Sequence, residues 1–95
     1  MYLIARTKDF EKSFKRIKRS GKLKKQAKDN LTEAISILAS GRKLPNEYKD
    51  HQLTGDLGRY RECHIKGNLL LVYQIQKEEL LLVLVDLGTH SYLGI

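Results

Sequence analysis

The run Leu80-Leu81-Leu82-Val83-Leu84-Val85-Asp86-Leu87 holds seven apolar residues in eight positions. Side chains of a strand alternate between its two faces, so a run that is apolar at both parities belongs inside a sheet, covered on both sides. A strand of this kind needs neighbouring strands and a second layer, all from a chain of 95 residues. That length supports one core and one domain, residues 1–95.

The remaining periodicities supply the other parts. Tyr2 to Arg6 reads as a short opening strand, and Thr7 as a helix N-cap with Asp9 and Glu11 near the positive end of the helix dipole. A first helix is predicted over Lys8 to Arg19, with Phe10, Phe14 and Ile17 in one stripe. After Ser20-Gly21, a second helix from Lys22 to Ser40 carries Leu23, Ala27, Leu31, Ala34, Ile35 and Leu38 on one face, with Gly41 as its left-handed terminator.

Residues 41–58 contain the single proline and three glycines and follow no helical or strand period, which reads as a loop. Strands follow over Arg59 to Lys66, Leu69 to Gln76 and Leu80 to Leu87, joined by Gly67-Asn68 and by a polar turn at Lys77 to Glu79. The expectation is an α+β fold of order β-α-α-β-β-β, a helical hairpin packed on an antiparallel sheet.

Charge narrows the function. Between Arg6 and Lys28 stand eleven lysines and arginines against two acids, within a net charge of +7. Such a cluster attracts polyanions by counterion release, without reading sequence, or serves as a solvated face. The single cysteine excludes an internal disulfide and fits a reducing, cytoplasmic setting. No apolar stretch reaches the roughly 18 residues of a membrane span, and Met1 to Phe10 lacks the pattern of a secretion signal.

The predicted third strand concentrates titratable groups. Alternation puts Tyr60, Glu62, His64 and Lys66 on one face and Arg59, Arg61, Cys63 and Ile65 on the other. With Cys63 and Ile65 turned to the helices, Glu62 and His64 point to the open face. The other histidines, His51 in the loop and His90 after the last strand, also lie off the apolar helix stripes. Cys63 reads as a small core filler rather than a nucleophile. Tyr60 and Tyr73 suit either packing or a site on this sheet, and Arg61 either a polyanion or an ion pair with an acid such as Asp86.

The ordered set Tyr48-Lys49-Asp50-His51, Leu53, Gly55, Tyr60-Arg61-Glu62-Cys63-His64, Val72-Tyr73 and Gly88-Thr89-His90, with the basic hairpin before it, resembles the YafQ branch of the RelE-type toxins of bacterial toxin–antitoxin systems. The likeness runs over nearly the whole chain. It implies a microbial RNase-like fold and a ribosome-dependent endoribonuclease that cleaves messenger RNA in the decoding site. It also implies silencing by a cognate antitoxin of RelB or DinJ kind. Carried over by position, the catalytic groups are His51, His64, His90 and Glu62. Two positions depart from the family: Asn68 stands where it has an aspartate, and Gly94 where it has an aromatic residue, for which Tyr92 is the nearest substitute.

The chemistry of metal-free RNA cleavage asks for the same residue types. A base must take the 2′-hydroxyl proton, an acid must protonate the departing 5′-oxygen, and cations must stabilise the crowded phosphate. Imidazoles are suited to both proton transfers because their unperturbed pKa lies near neutrality. Lys49, Arg59, Arg61 and Asn68 are the candidate RNA contacts, with Tyr92 able to stack on a base or pack the C-terminus.

No cofactor is expected. Three histidines could instead ligate zinc, but no local ligand spacing marks such a site. Two further alternatives are a non-catalytic toxin of the same superfamily acting on DNA gyrase and a basic nucleic-acid-binding module.

Overall fold

Thr7 closes the first strand and opens the first helix, because its hydroxyl accepts a hydrogen bond from the Phe10 amide at 3.0 Å. In the computed structural model, which describes residues 1–95, β1 (Leu3–Arg6) leads through this cap into α1 (Lys8–Arg19). Phe10 and Ile17 are buried and Phe14 packs at the margin of the core. Acids in the first turn and Arg16, Lys18 and Arg19 in the last oppose the helix dipole at both ends.

The second helix, α2 (Lys25–Ala39), starts three residues after the expected Lys22. Lys24 at its cap makes no side-chain hydrogen bond to the first turn, so nothing extends the helix towards Ser20-Gly21. Ala27, Leu31, Ala34 and Leu38 are buried. The C-terminus closes as a Schellman motif: the Arg42 amide bonds to the Ile37 carbonyl at 3.2 Å and the Gly41 amide to the Leu38 carbonyl at 3.0 Å. Gly41 takes φ +84°, which a side chain would strain.

After the loop come β2 (His51–Gln52), β3 (Arg61–Lys66), β4 (Leu69–Gln76), β5 (Leu81–Gly88) and a terminal helical turn, α3 (His90–Leu93). The sheet order is β1-β5-β4-β3-β2. It is mixed rather than wholly antiparallel, since β1 runs parallel to β5 while the other pairs are antiparallel. β2, β3, β4 and β5 follow one another directly and turn back in succession. β1 reaches β5 only through the whole chain between them, so no hairpin dictates its direction. Both β2 and α3 are additions to the expected order.

The helices cover one face of the sheet, where Cys63, Ile65, Leu71, Tyr73, Leu82, Leu84 and Leu87 meet Phe10, Ile17, Leu31, Ala34 and Leu38. The opposite parity of β5, Leu81, Val83 and Val85, is only half-buried, so the apolar run does not have the second covering layer that its composition suggests. Val72 pairs with Asp86 and Tyr73 with Leu84, leaving Val85 as a bulge. That extra residue shifts the parity of the strand: Leu84 and Leu87 both enter the helix-side core, and Asp86 comes within reach of α1.

Candidate active site

On β3, period two sends Cys63 and Ile65 into the helix-side core and Glu62 and His64 to the other face. Antiparallel pairing sets His51 of β2 directly opposite Glu62. His90 enters from the far side, as the first residue of α3. Three separate elements thus deliver imidazoles to one carboxylate. The Nε2 atoms of His90, His51 and His64 lie 3.2, 3.7 and 3.8 Å from Glu62 Oε1. The His64 and His90 rings meet edge to face, with centroids 6.0 Å apart.

Glu62 is not on an open surface, as alternation alone suggests; it is 1% exposed, beneath the rings. A buried carboxylate is costly unless charge or hydrogen bonds compensate it. The three imidazole Nε2 atoms gathered round Oε1 are the polar partners of this carboxylate, and their rings keep their outer edges accessible.

The segment that carries His51 is fixed by its neighbours. His51 Nδ1 lies 2.8 Å from the Lys49 carbonyl, which can only accept, so Nδ1 carries the proton and Nε2 faces Glu62. Lys49 aims that carbonyl from a left-handed backbone, φ +49°. Next to it, Asp50 accepts from Arg61 at 3.2 and 3.3 Å and from the Tyr73 hydroxyl. Burial tends to lower the Arg61 guanidinium, but its bonds to Asp50 and Tyr73 prevail and raise it.

Asp50, not Asp86, is therefore the acid that pairs with Arg61. Strand parity puts Arg61 on the side of the sheet away from the imidazoles, where it and Tyr73 line one cavity with Lys49 and Arg59. Asn68 and Tyr92 line a second cavity with Arg16, Lys22, Lys66 and Thr89, beside His90. The expected RNA contacts thus line two separate cavities, neither of them lined by the imidazoles themselves. Cys63 is fully buried, and burial pushes its thiol up to about 12, which leaves it neutral and unreactive.

Two participants were given no role by the sequence reading: Asp50 and Ser13. Ser13 did leave a signal, since it is three residues after Phe10 and four before Ile17, on the buried stripe of α1. Asp50 stands in the Tyr48–His51 string, but no local pattern gave it a role, because its partners on β3 and β4 are brought to it only by the sheet.

A family model for bacterial YafQ toxins of type II toxin–antitoxin systems matches residues 2–94. The chain belongs to the YafQ toxin family. Among solved structures similar to this family member is a metal-bound toxin from Helicobacter pylori, 44% identical, covering 98% of this chain and 99% of that one with a TM-score of 0.85. The DinJ–YafQ complex of Escherichia coli matches with 26% identity over 98% of each chain and a TM-score of 0.82. The mRNA interferase toxin YafQ of Escherichia coli K12 is 38% identical over 50 residues, 53% of this chain and 52% of that protein. The alignment thus spans about half of that curated relative's length.

The metal-bound toxin among these similar structures raises the question whether the residues of this chain suit an ion. Glu62, His64 and His90 present donor atoms that all lie within 4.8 Å of one another. Two imidazoles and a carboxylate form a donor set that zinc and copper accept, so the residues fit. None of the helices is long and apolar enough to cross a membrane.

Proposed function

We propose that this YafQ-family toxin is a ribosome-dependent endoribonuclease that cleaves messenger RNA by acid–base catalysis and so stops translation. The observation that carries the reading is the convergence of three imidazole Nε2 atoms on the single buried oxygen Glu62 Oε1. The name of the Escherichia coli relative, an mRNA interferase toxin, supports it.

In this mechanism a neutral imidazole takes the 2′-hydroxyl proton as that oxygen attacks the adjacent phosphorus. The bond from phosphorus to the 5′-oxygen breaks, and a protonated imidazole gives its proton to the departing oxygen. The products are a 2′,3′-cyclic phosphate and a 5′-hydroxyl. His64 and His90, whose rings touch, serve the scissile phosphate, and His51 binds the neighbouring one. Glu62 stabilises whichever imidazole is protonated.

Lys49 and Arg59 in one cavity and Asn68 in the other extend the RNA path. Glu62, His64 and His90 would hold a divalent cation, which supplies Lewis acidity when bound; the acid–base route uses the free lone pairs and protons of those same groups.

The partner is a cognate antitoxin of the DinJ kind, a reading supported by the DinJ–YafQ complex. The basic surface of α1 and the start of α2 calls for an acidic segment on that partner. Purified toxin, mixed with programmed ribosomes, is expected to yield fragments ending in a cyclic phosphate. His64→Ala and His90→Ala should abolish cleavage and toxicity while remaining folded. Full toxicity in both variants, or arrest of DNA replication with messenger RNA intact, would sink the assignment.

A further inference from the structure

Ser13 is a fully buried polar residue on the otherwise apolar stripe of α1. Its hydroxyl has one proton, which goes to Asp86 Oδ1 of β5 at 2.6 Å; the same oxygen accepts the Leu87 amide at 2.8 Å. The Tyr92 hydroxyl lies 3.0 Å from Ser13 Oγ. With its proton committed to a carboxylate, Ser13 can only accept from Tyr92, so the hydrogen bonds run in one direction, from Tyr92 through Ser13 to Asp86.

The ring of Tyr92 is held as well. The Arg16 guanidinium stands 4.0 Å over its centroid. At its edge lies Gly88, where a Cβ would come within 2.6 Å of Tyr92 Cδ2. The Tyr92 amide donates to Thr89 Oγ1 at 3.2 Å, capping the turn. These contacts, from α1, β5 and the Thr89 cap, all act on a helix of four residues, a length with no stability of its own. His90 is the first of those four.

We propose that Tyr92 is a positioning residue for His90: clamped by Ser13, Asp86, Arg16 and Gly88, it holds α3 so that His90 Nε2 stays 3.2 Å from Glu62 Oε1. This assignment rests on the reading of His90 as a catalytic group. It gives Tyr92 a different role from stacking on a base, since Arg16 covers one face of the ring and Ser13 takes the hydroxyl. A displacement of about 1 Å at a catalytic group is enough to cost a hundredfold in rate, so a one-turn helix needs such an anchor.

Tyr92→Phe tests the clamp without risk to the fold, because the residue is 51% exposed and the ring is retained. The variant is expected to lower kcat for messenger RNA cleavage on ribosomes about tenfold, with KM unchanged. It should also weaken the nuclear Overhauser contact between the His64 and His90 rings, and Ser13→Ala should reproduce both effects. In a His90→Ala background Tyr92→Phe should leave the affinity for programmed ribosomes unchanged.

Unchanged kcat and ring contact in Tyr92→Phe would overturn the proposal. So would weaker ribosome binding on adding Tyr92→Phe to His90→Ala, the signature of direct RNA contact. If His90→Ala itself cleaves at full rate, the catalytic reading fails instead, and the ring contact alone then decides the clamp: weakened by Tyr92→Phe it stands, unchanged it falls.

Discussion

His90 Nε2 lies 3.2 Å from Glu62 Oε1, although 28 residues separate the two in the chain. The contact joins α3, just past the end of β5, to β3 across the intervening strand β4. It makes Glu62 the common partner of all three histidines, and the sheet between them fixes the spacing.

Replacing that carboxylate by an amide therefore separates charge from shape. Glu62→Gln is expected to fold normally, because removing a buried charge spares the protein its desolvation cost. Ribosomal messenger RNA cleavage should nevertheless fall by about a hundredfold, as an amide cannot stabilise a protonated imidazole. Thermal unfolding and single-turnover cleavage measure the two effects; cleavage at the wild-type rate would remove Glu62 from the chemistry.

Lys49 contributes a backbone carbonyl as well as a charge, and the two are separable by the choice of substitute. Glycine adopts φ +49° freely, whereas valine does not, at a cost of about 1–2 kcal/mol. Both variants lose the ammonium, but only Lys49→Val moves the carbonyl that fixes His51 Nδ1. Cleavage by Lys49→Val should be about tenfold slower than by Lys49→Gly. Equal rates would mean that Lys49 acts through its charge alone.

Much of this frame was legible because it is written in local periods. Thr7, the stripe of α1, the Gly41 terminator and the parity of β3 each depend on residues within a few positions of one another. The parallel pairing of β1, the Val85 bulge and the Asp50 partners depend on residues brought together only by the finished sheet, and no local pattern encodes them. The same division runs through the site. Alternation separated Glu62 and His64 from Cys63 and Ile65, but it could not show that the rings of His51 and His90 close over Glu62 and bury it.

Tyr48 makes stability depend on alkaline pH. Burial, followed by its hydrogen bond to Glu33 at 3.1 Å, raises its phenol from 10.0 to about 12. The unfolded chain thus releases this proton near pH 10 while the folded protein keeps it until near 12. The associated stability is complete below pH 10 and is lost as pH rises through that window, at up to about 1.4 kcal/mol per pH unit. Tyr73, raised first by burial and then by Asp50, acts in the same direction. Urea midpoints between pH 8 and 12 should fall less steeply for Tyr48→Phe than for the parent protein; parallel curves would exclude Tyr48 as a source.

Asp50 ties the His51 segment to the sheet through Arg61 and Tyr73. Asp50→Ala leaves both donors without their acceptor, a loss of about 1–3 kcal/mol when the groups are buried. Arg61 is partly solvated, so the lower half of that range is expected. Asp50→Asn retains an acceptor and should lose less. Denaturant unfolding measures the loss, and limited proteolysis near His51 should be faster in the alanine variant. Proteolysis at the parent rate would show that the segment is held by β2 pairing alone.

The donor set of Glu62, His64 and His90 gives metal ions a predictable effect on the proposed chemistry. An imidazole lone pair bound to zinc or copper is not available to take a proton, and Glu62 engaged with an ion no longer stabilises a protonated ring. Added zinc should therefore inhibit messenger RNA cleavage, and dialysis against EDTA should leave the activity intact. His51 is outside the donor set, so His51→Ala should still bind zinc, whereas His64→Ala and His90→Ala should bind it at least tenfold more weakly. Calorimetric titration separates these variants without reference to catalysis. Loss of cleavage on EDTA treatment, restored by zinc, would reverse the assignment and make the ion part of the mechanism.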